Sequence, residues 1–209
     1  MISKSIIDLI YRKLKQLKEV KNMQVTLLLG SSREASNCEL LANIVVKGLD
    51  VTRVYLKDYN IQAIKDLRHS PTGFQTIKDD HSKIMTTLLK TDVLIFATPI
   101  YWYSMSGIMK NFIDRLSQTI RDPSFQNVKK KLSRIKTIVL AVGGDTPRIK
   151  GLPLILQFQY TFDFLNMELI AYILGEGNQP GEILNDIIAT SEAEHLNSFL
   201  QGLLPLNEL

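Results

Sequence analysis

Residues 24–41 read QVTLLLGSSREASNCELL, and their order is strand, small-residue loop, helix. Val25 to Leu29 is an apolar run too short for a helix and apolar enough for a buried strand. It stops at Gly30, and the loop that follows leads straight into a helical pattern over 37–49, with Leu40, Leu41, Ile44 and Val45 on one side.

The same order repeats outward from this stretch. Residues 51–56 alternate as a strand, 92–97 and 136–142 are buried strands, and 168–174 is a fifth. Helical periodicity covers about 79–90, 107–120, 152–165 and 191–202, and the acids Asp79 and Asp80 suit the positive end of the first of these. The polar stretch 57–76, with Pro71 and Gly73, is expected to be a long loop, and such loops tend to cover sites. Lys129, Lys130 and Lys131 fall in a link, expected as a solvated turn. Five apolar strands alternating with helices predict an α/β fold with a parallel sheet covered on both faces. Right-handed crossovers leave doubly wound strand orders such as 2-1-3-4-5.

The 209 residues, 45% apolar and 22% charged, suit one globular domain. The formal charge of +4 is accounted for by residues 1–22, where Lys4, Arg12, Lys13, Lys15, Lys18 and Lys21 stand against Asp8 and Glu19. The rest of the chain is neutral, which argues against a nucleic-acid partner. Ile6, Ile10, Leu14 and Leu17 make 2–20 an amphipathic helix, so the chain divides into a helical extension, 1–22, and a domain, 23–209. No Trp or Phe marks that stripe for a membrane surface, and it is expected to lie on its own domain or on a second subunit. Apolar runs such as 93–97 fall far short of the roughly 18–20 residues of a membrane span, and Lys4 and Asp8 interrupt any leader. Cys38 is the only cysteine, so one chain holds no disulfide and no cysteine-ligated cluster. A cytoplasmic location is expected.

In a sheet of this order, ligands bind outside the carboxyl ends of the strands. Three segments end there. Gly30 through Cys38 joins strand to helix, where free amide hydrogens and the helix dipole make an anion site, with Ser31, Ser36 and Asn37 as short donors and Arg33 as a charge. An ordinary N-cap at Ser36 or Asn37 explains the same residues equally well. Thr98 through Gly107 carries Tyr101, Trp102 and Tyr103 in a row. Consecutive residues cannot share one face, so some of these rings, with Met105, should form a platform for a flat ligand. Gly143 and Gly144, before Asp145, permit φ > 0 and a close backbone approach. A phosphate cradle, an aromatic platform and a glycine loop on one edge point to FMN. The 175–181 turn has Pro180 where a dinucleotide fingerprint needs its third glycine and is expected to be a rigid loop. His69, His81 and His195 form no triad spacing, and neither a catalytic side chain nor a metal site is assigned.

The segments GSSREASN (30–37) and TPIYWYSMSGIMKNFIDRL (98–116) resemble the NADPH-dependent FMN reductase branch of the flavodoxin-like superfamily, including its iron–sulfur flavoprotein relatives. The resemblance runs from about residue 24 to the closing helix. It implies a flavodoxin-like domain that binds FMN noncovalently as a homodimer or homotetramer. FMN would be reduced by NAD(P)H and reoxidised by a small acceptor such as a flavin or quinone, in ping-pong fashion. Ser31, Arg33, Ser36, Asn37 and Cys38 would surround the phosphate. Pro99, Ile100, Tyr101, Trp102 and Tyr103 would meet the isoalloxazine, and Gly143, Gly144 and Asp145 would border its far edge. Lys110 and Asp114 resemble a pair that joins subunits in some members, or form an i,i+4 pair on one helix. Cluster-bearing relatives carry several cysteines after the second strand, and residues 57–74 here carry none. Cys38 stands where a hydroxyl residue is common, and it is expected to be a neutral, weakly donating thiol when FMN is present and a more reactive one without it. The rival reading is an FMN-binding electron carrier that docks proteins without nicotinamide turnover.

Overall fold

The computed structural model describes residues 23–202. The expected N-terminal helix and the 1–22 extension lie outside the described residues. The five strands are β1 (Val25–Leu29), β2 (Val51–Tyr55), β3 (Val93–Pro99), β4 (Lys136–Gly143) and β5 (Glu168–Glu176). They form one sheet, parallel throughout, in the order β2-β1-β3-β4-β5. The expected doubly wound α/β architecture is therefore present. Every residue of β1 is buried, because helices cover both faces of a central parallel strand.

The two faces carry two cores. On one, Leu27, Leu29, Ile95 and Leu140 meet α1 (Asn37–Val45) and α7 (Ile187–Gly202). On the other, Leu28, Phe96 and Val139 meet α2 (His81–Leu88), α3 (Gly107–Thr119) and α6 (Leu152–Leu165). Phe96 lies 5.2 Å, centroid to centroid, from both Phe158 and Phe162. Two short helices, α4 (Val128–Leu132) and α5 (Pro147–Lys150), complete the chain. Helix α4 holds the three lysines expected in a turn, because Val128 and Leu132 at its ends are buried. Helix α7 begins before the expected 191, at the point where the Asp186 carboxylate accepts the Ala189 amide. Among the described residues, no helix is long and apolar enough to cross a membrane, and no group of three or more His, Cys, Asp or Glu could hold a metal ion.

The long segment after β2 is the irregular loop that its sequence predicts. Beyond a single 3₁₀ turn, Leu56–Asp58, it is irregular up to α2. At its start Lys57 lies 3.7 Å from Glu34 of the loop after β1, and further along its hydrogen bonds follow the flank of α3. Asn111 donates to the Ile61 carbonyl at 2.6 Å, Arg115 to Gln62 at 2.9 Å, and Gln118 to Gln75 at 2.8 Å. The anchor is the ion pair of Arg115 and Asp79, whose side chains are 3% and 0% exposed. Asp79 also accepts the amides of Gln62 and His81, so the acid placed before α2 ties down the loop as well as the helix. Burial works against its charge, yet the Arg115 guanidinium and these two amides hold its carboxyl below the ordinary range.

His81 lies inside this anchor. Its ring sits 5.2 Å from that of Phe112, and its Nε2 is buried with no hydrogen-bond partner among the described residues. Burial first, then the nearby Arg115 charge, pushes its pKa down to about 4.

Two outcomes follow for stability. Removing one member of a buried ion pair typically costs about 3–5 kcal/mol, so Arg115→Met should lower the denaturation midpoint and raise amide exchange across 57–80 first. An unchanged midpoint would mean that the pair does not hold the loop. The folded chain keeps His81 neutral, so the unfolded chain binds the extra proton. Stability is then full above about pH 6.5 and falls by roughly 3 kcal/mol as pH drops towards 4. In His81→Gln that part of the slope should disappear from thermal melts, leaving the acid loss due to Asp79.

Candidate flavin-binding site

All three loops singled out in the sequence meet at one end of the sheet. The first of them and the aromatic one are joined at the Ser106 hydroxyl. It accepts the Met109 amide as the N-cap of α3 and donates to the Gly30 carbonyl, while the Ser106 amide bonds the Thr98 hydroxyl at 3.1 Å. The Gly30 amide bonds the Ala97 carbonyl at 2.8 Å. A Cβ on Gly30 would stand 2.9 Å from the Met109 methyl, so only glycine allows the first loop this close to α3.

Between Gly30 and α1 the chain makes a tight loop. Ser31 accepts the Arg33 amide, Ala35 takes a left-handed φ of 45°, and Ser36 caps α1 by accepting the Glu39 amide. The amides of Ser32, Glu34 and Ala35 make no hydrogen bond among the described residues. Arg33 is exposed beside them. This is the donor arrangement an anion needs at a helix start.

Two residues of this segment turn elsewhere. Both ends of the Asn37 side chain are used by the 177–181 loop, with Nδ2 donating to the Gln179 carbonyl at 2.8 Å and Oδ1 accepting the Gly181 amide at 2.9 Å. The Cys38 side chain points into the core, with its sulfur 3.2 Å from the Ser36 hydroxyl. Burial pushes the Cys38 thiol up, outweighing the Ser36 hydroxyl and the helix-start amides that lower it. Only the backbone amides of Asn37 and Cys38 remain to meet a ligand.

The aromatic segment is a two-residue hairpin. Tyr101 and Ser104 exchange hydrogen bonds of 2.9 and 3.0 Å, and Trp102 and Tyr103 between them have φ of 48° and 61°. Left-handed backbone at both central positions is a type I′ turn, which favours Asn-Gly and costs bulky residues about 1–2 kcal/mol each. The rings turn outward as expected, with Tyr101, Trp102 and Tyr103 50%, 93% and 44% exposed. Met105 does not join them. It is buried in the core beneath the turn. Pro99 ends β3, and Ile100 adds one more bond, from its amide to the Val142 carbonyl.

Gly143 and Gly144 do not use the left-handed freedom expected of them, since neither has a positive φ. A Cβ on Gly143 would come within 3.1 Å of the Ile100 Cβ, and one on Gly144 within 2.8 Å of the Asn178 Cβ. Close approach of the neighbouring loops therefore demands them. Asp145 accepts from the Tyr103 hydroxyl and from Lys150, and these two partners, Lys150 first, hold its carboxyl below the ordinary range. The amides of Gly144 and Asp145 make no hydrogen bond among the described residues. A cavity of about 150 Å³ separates the Trp102–Tyr103 turn from the Gly143–Gly144 loop.

A fourth segment, 176–186, which contains most of the 175–181 turn expected to be a rigid loop, completes this end of the sheet. Gly177 donates to the Gly143 carbonyl, and Glu182 accepts the amides of Asn178 and Gln179. The usable signal was a Gly-Asn-Gln-Pro-Gly turn placed after the last parallel strand. Lys110 and Asp114 bond each other at 2.6 Å along α3, the within-helix alternative.

The described residues fit FMN in their donor chemistry: unbonded amides at two ends, exposed rings between. Known proteins agree. The NADPH-dependent FMN reductase family model matches residues 23–148. YwqN of Bacillus subtilis, named as an NAD(P)H-dependent FMN-containing oxidoreductase, is 49% identical over 83% of this chain and 96% of its own. An iron–sulfur flavoprotein of Archaeoglobus fulgidus is 28% identical over 73% of this chain and 67% of its own. The solved Trp repressor binding protein of Bacillus subtilis superposes with a TM-score of 0.71 at 42% identity, covering 83% of this chain and 97% of that one. With most of the described chain matched at nearly half identity, and the three loops in place at the strand ends, this protein is a member of the NADPH-dependent FMN reductase family.

Proposed function

We propose that the loops at 30–37, 99–104 and 143–145 hold FMN, and that the protein passes electrons from NAD(P)H to a small acceptor, a flavin or a quinone. The observation that carries this reading is the Trp102–Tyr103 turn. Two large rings are held in the left-handed region and kept almost out of the core, a cost that packing does not repay but a flat ligand would.

FMN, when bound, supplies acceptance of a hydride from the nicotinamide and return of two electrons to an acceptor. The chain supplies position and charge. Ser31, Ser36, Arg33 and the free amides between them bind the phosphate; Asn37 fixes the neighbouring loop, and Cys38 fills the core below. Tyr101, Trp102 and Tyr103 orient the ring. The amides of Gly144 and Asp145 offer hydrogen bonds to a ring edge that becomes negative on reduction. Asp145 keeps Tyr103 in place and neutralises Lys150. No side chain here needs to act as acid or base. An exposed apolar stripe on α6, made of Leu152, Leu156, Tyr160 and Phe164, supports a homodimer or homotetramer.

The purified protein should be yellow, release FMN on denaturation and bleach anaerobically on addition of NADPH. Bound flavin that stays oxidised would make the protein an electron carrier instead. Replacing Trp102–Tyr103 by Asn-Gly should relieve the turn, raising stability by about 1–2 kcal/mol, while weakening FMN binding about tenfold. A turn that became more stable with no loss of flavin would mean that the rings are not the platform.

A further inference from the structure

The cavity of about 150 Å³ between the Trp102–Tyr103 turn and the Gly143–Gly144 loop has a charged wall as well as an aromatic one. Among the described residues that line it, Lys150 is the one cation and Asp145 the one anion. The volume lies below the roughly 300–1,000 Å³ of whole small-molecule sites, so the cavity admits one edge of a ligand. Arg148, on the same short helix as Lys150, turns away to Asp186.

A tightly folded turn brings Lys150 there. Thr146 is held at a left-handed φ of 46°, and Pro147 starts α5, whose single turn leads the chain back towards Asp145. A Cβ on Gly151 would meet the Pro147 carbonyl oxygen at 2.5 Å and the Ile100 Cδ1 at 3.0 Å, so this turn is packed against the aromatic segment. The Lys150 ammonium reaches both oxygens of Asp145, at 2.7 and 2.8 Å. The Tyr103 hydroxyl donates to the same carboxylate at 3.1 Å. Cation, carboxylate and ring are thus one connected unit across the two loops. Both charges are about half exposed, and an ion pair of that kind adds little to stability. The fold gains little from it.

We propose that Lys150 is the counter-ion of the reduced flavin ring, and that Asp145, by holding it, sets how strongly it acts. The inference rests on the FMN reading above. Hydride transfer breaks a C–H bond of the nicotinamide and carries the hydrogen with both bonding electrons to the flavin. NAD(P)H leaves as NAD(P)⁺, and the neutral ring system gains one negative charge. A cation in the wall of the cavity favours the ring after this step over the ring before it, and an anion does the opposite. The amides of Gly144 and Asp145 offer partial charges to the same edge. Lys150 alone brings a whole positive charge to this wall.

The test is the reduction potential of the FMN-loaded protein, read by anaerobic equilibration with dyes of known potential. Against free FMN it gives the ratio of affinities for the reduced and the oxidised flavin. Flavin content of the wild-type protein is read first, since its absence overturns the FMN reading and this inference with it. Lys150→Met should lower the ratio about tenfold, a shift of about 30 mV to more negative potential. Asp145→Asn should raise it about threefold or more, because the released cation is no longer compensated. The double variant should return to within about twofold of the wild type, and Lys150→Arg, which keeps the charge, should stay there too. A pair that only braces the Tyr103 turn would move both single variants in the same direction. That result, or bound flavin with an unchanged ratio in Lys150→Met, overturns the inference and leaves the FMN reading standing.

Discussion

One hydroxyl joins the two loops on which the candidate site chiefly depends, those after β1 and β3. Ser106 caps α3, ties its own amide to Thr98 at the end of β3, and donates to the carbonyl of Gly30 at the end of β1. The sheet already places β1 and β3 side by side. The hydroxyl fixes the loops that leave them, and the missing side chain at Gly30 lets them touch. A helix start needs its first amides satisfied in any case. Here the residue that meets this need also sets the first loop against the aromatic segment, so that one loop offers free donors and the next offers rings.

The rest of the site is built against local preference. Ala35, Trp102, Tyr103 and Thr146 all have left-handed backbones without being glycine, and all lie in loops at the same end of the sheet. Each conformation costs free energy that the strands themselves do not recover. The stability that tolerates this comes from buried β1, β3 and β4 and from the phenylalanine cluster of Phe96, Phe158 and Phe162. Rigid core and strained rim are thus complementary, and the rim is where chemistry can be specified.

Polar side chains hold the loops to each other, and the division of labour among them is informative. Arg115 and Asp79 fasten the long segment after β2 to the flank of α3. Asn37 spends its amide group on the 177–181 loop, and Arg148 reaches from α5 to Asp186. Residues 57–74 carry no cysteine, and the segment is held by the buried Arg115–Asp79 ion pair and its hydrogen bonds to α3.

Much of this was legible in the chain alone, and the reason is periodicity. Buried strands of five to nine residues, each followed by a helix of fixed period, leave few topologies. The outward turn of Tyr101, Trp102 and Tyr103 follows because three neighbours cannot share a face. The loop motifs could be placed together at one end of the sheet because helix starts and glycines have a backbone chemistry that does not depend on context. What tertiary structure alone decided are the contacts between segments far apart in sequence. It turned Asn37 to a partner more than 140 residues away, sent Cys38 and Met105 into the core, and made Gly143 and Gly144 obligatory through the nearness of Ile100 and Asn178. A residue's type sets what it can bond to, but which neighbour arrives to be bonded is a property of the folded sheet.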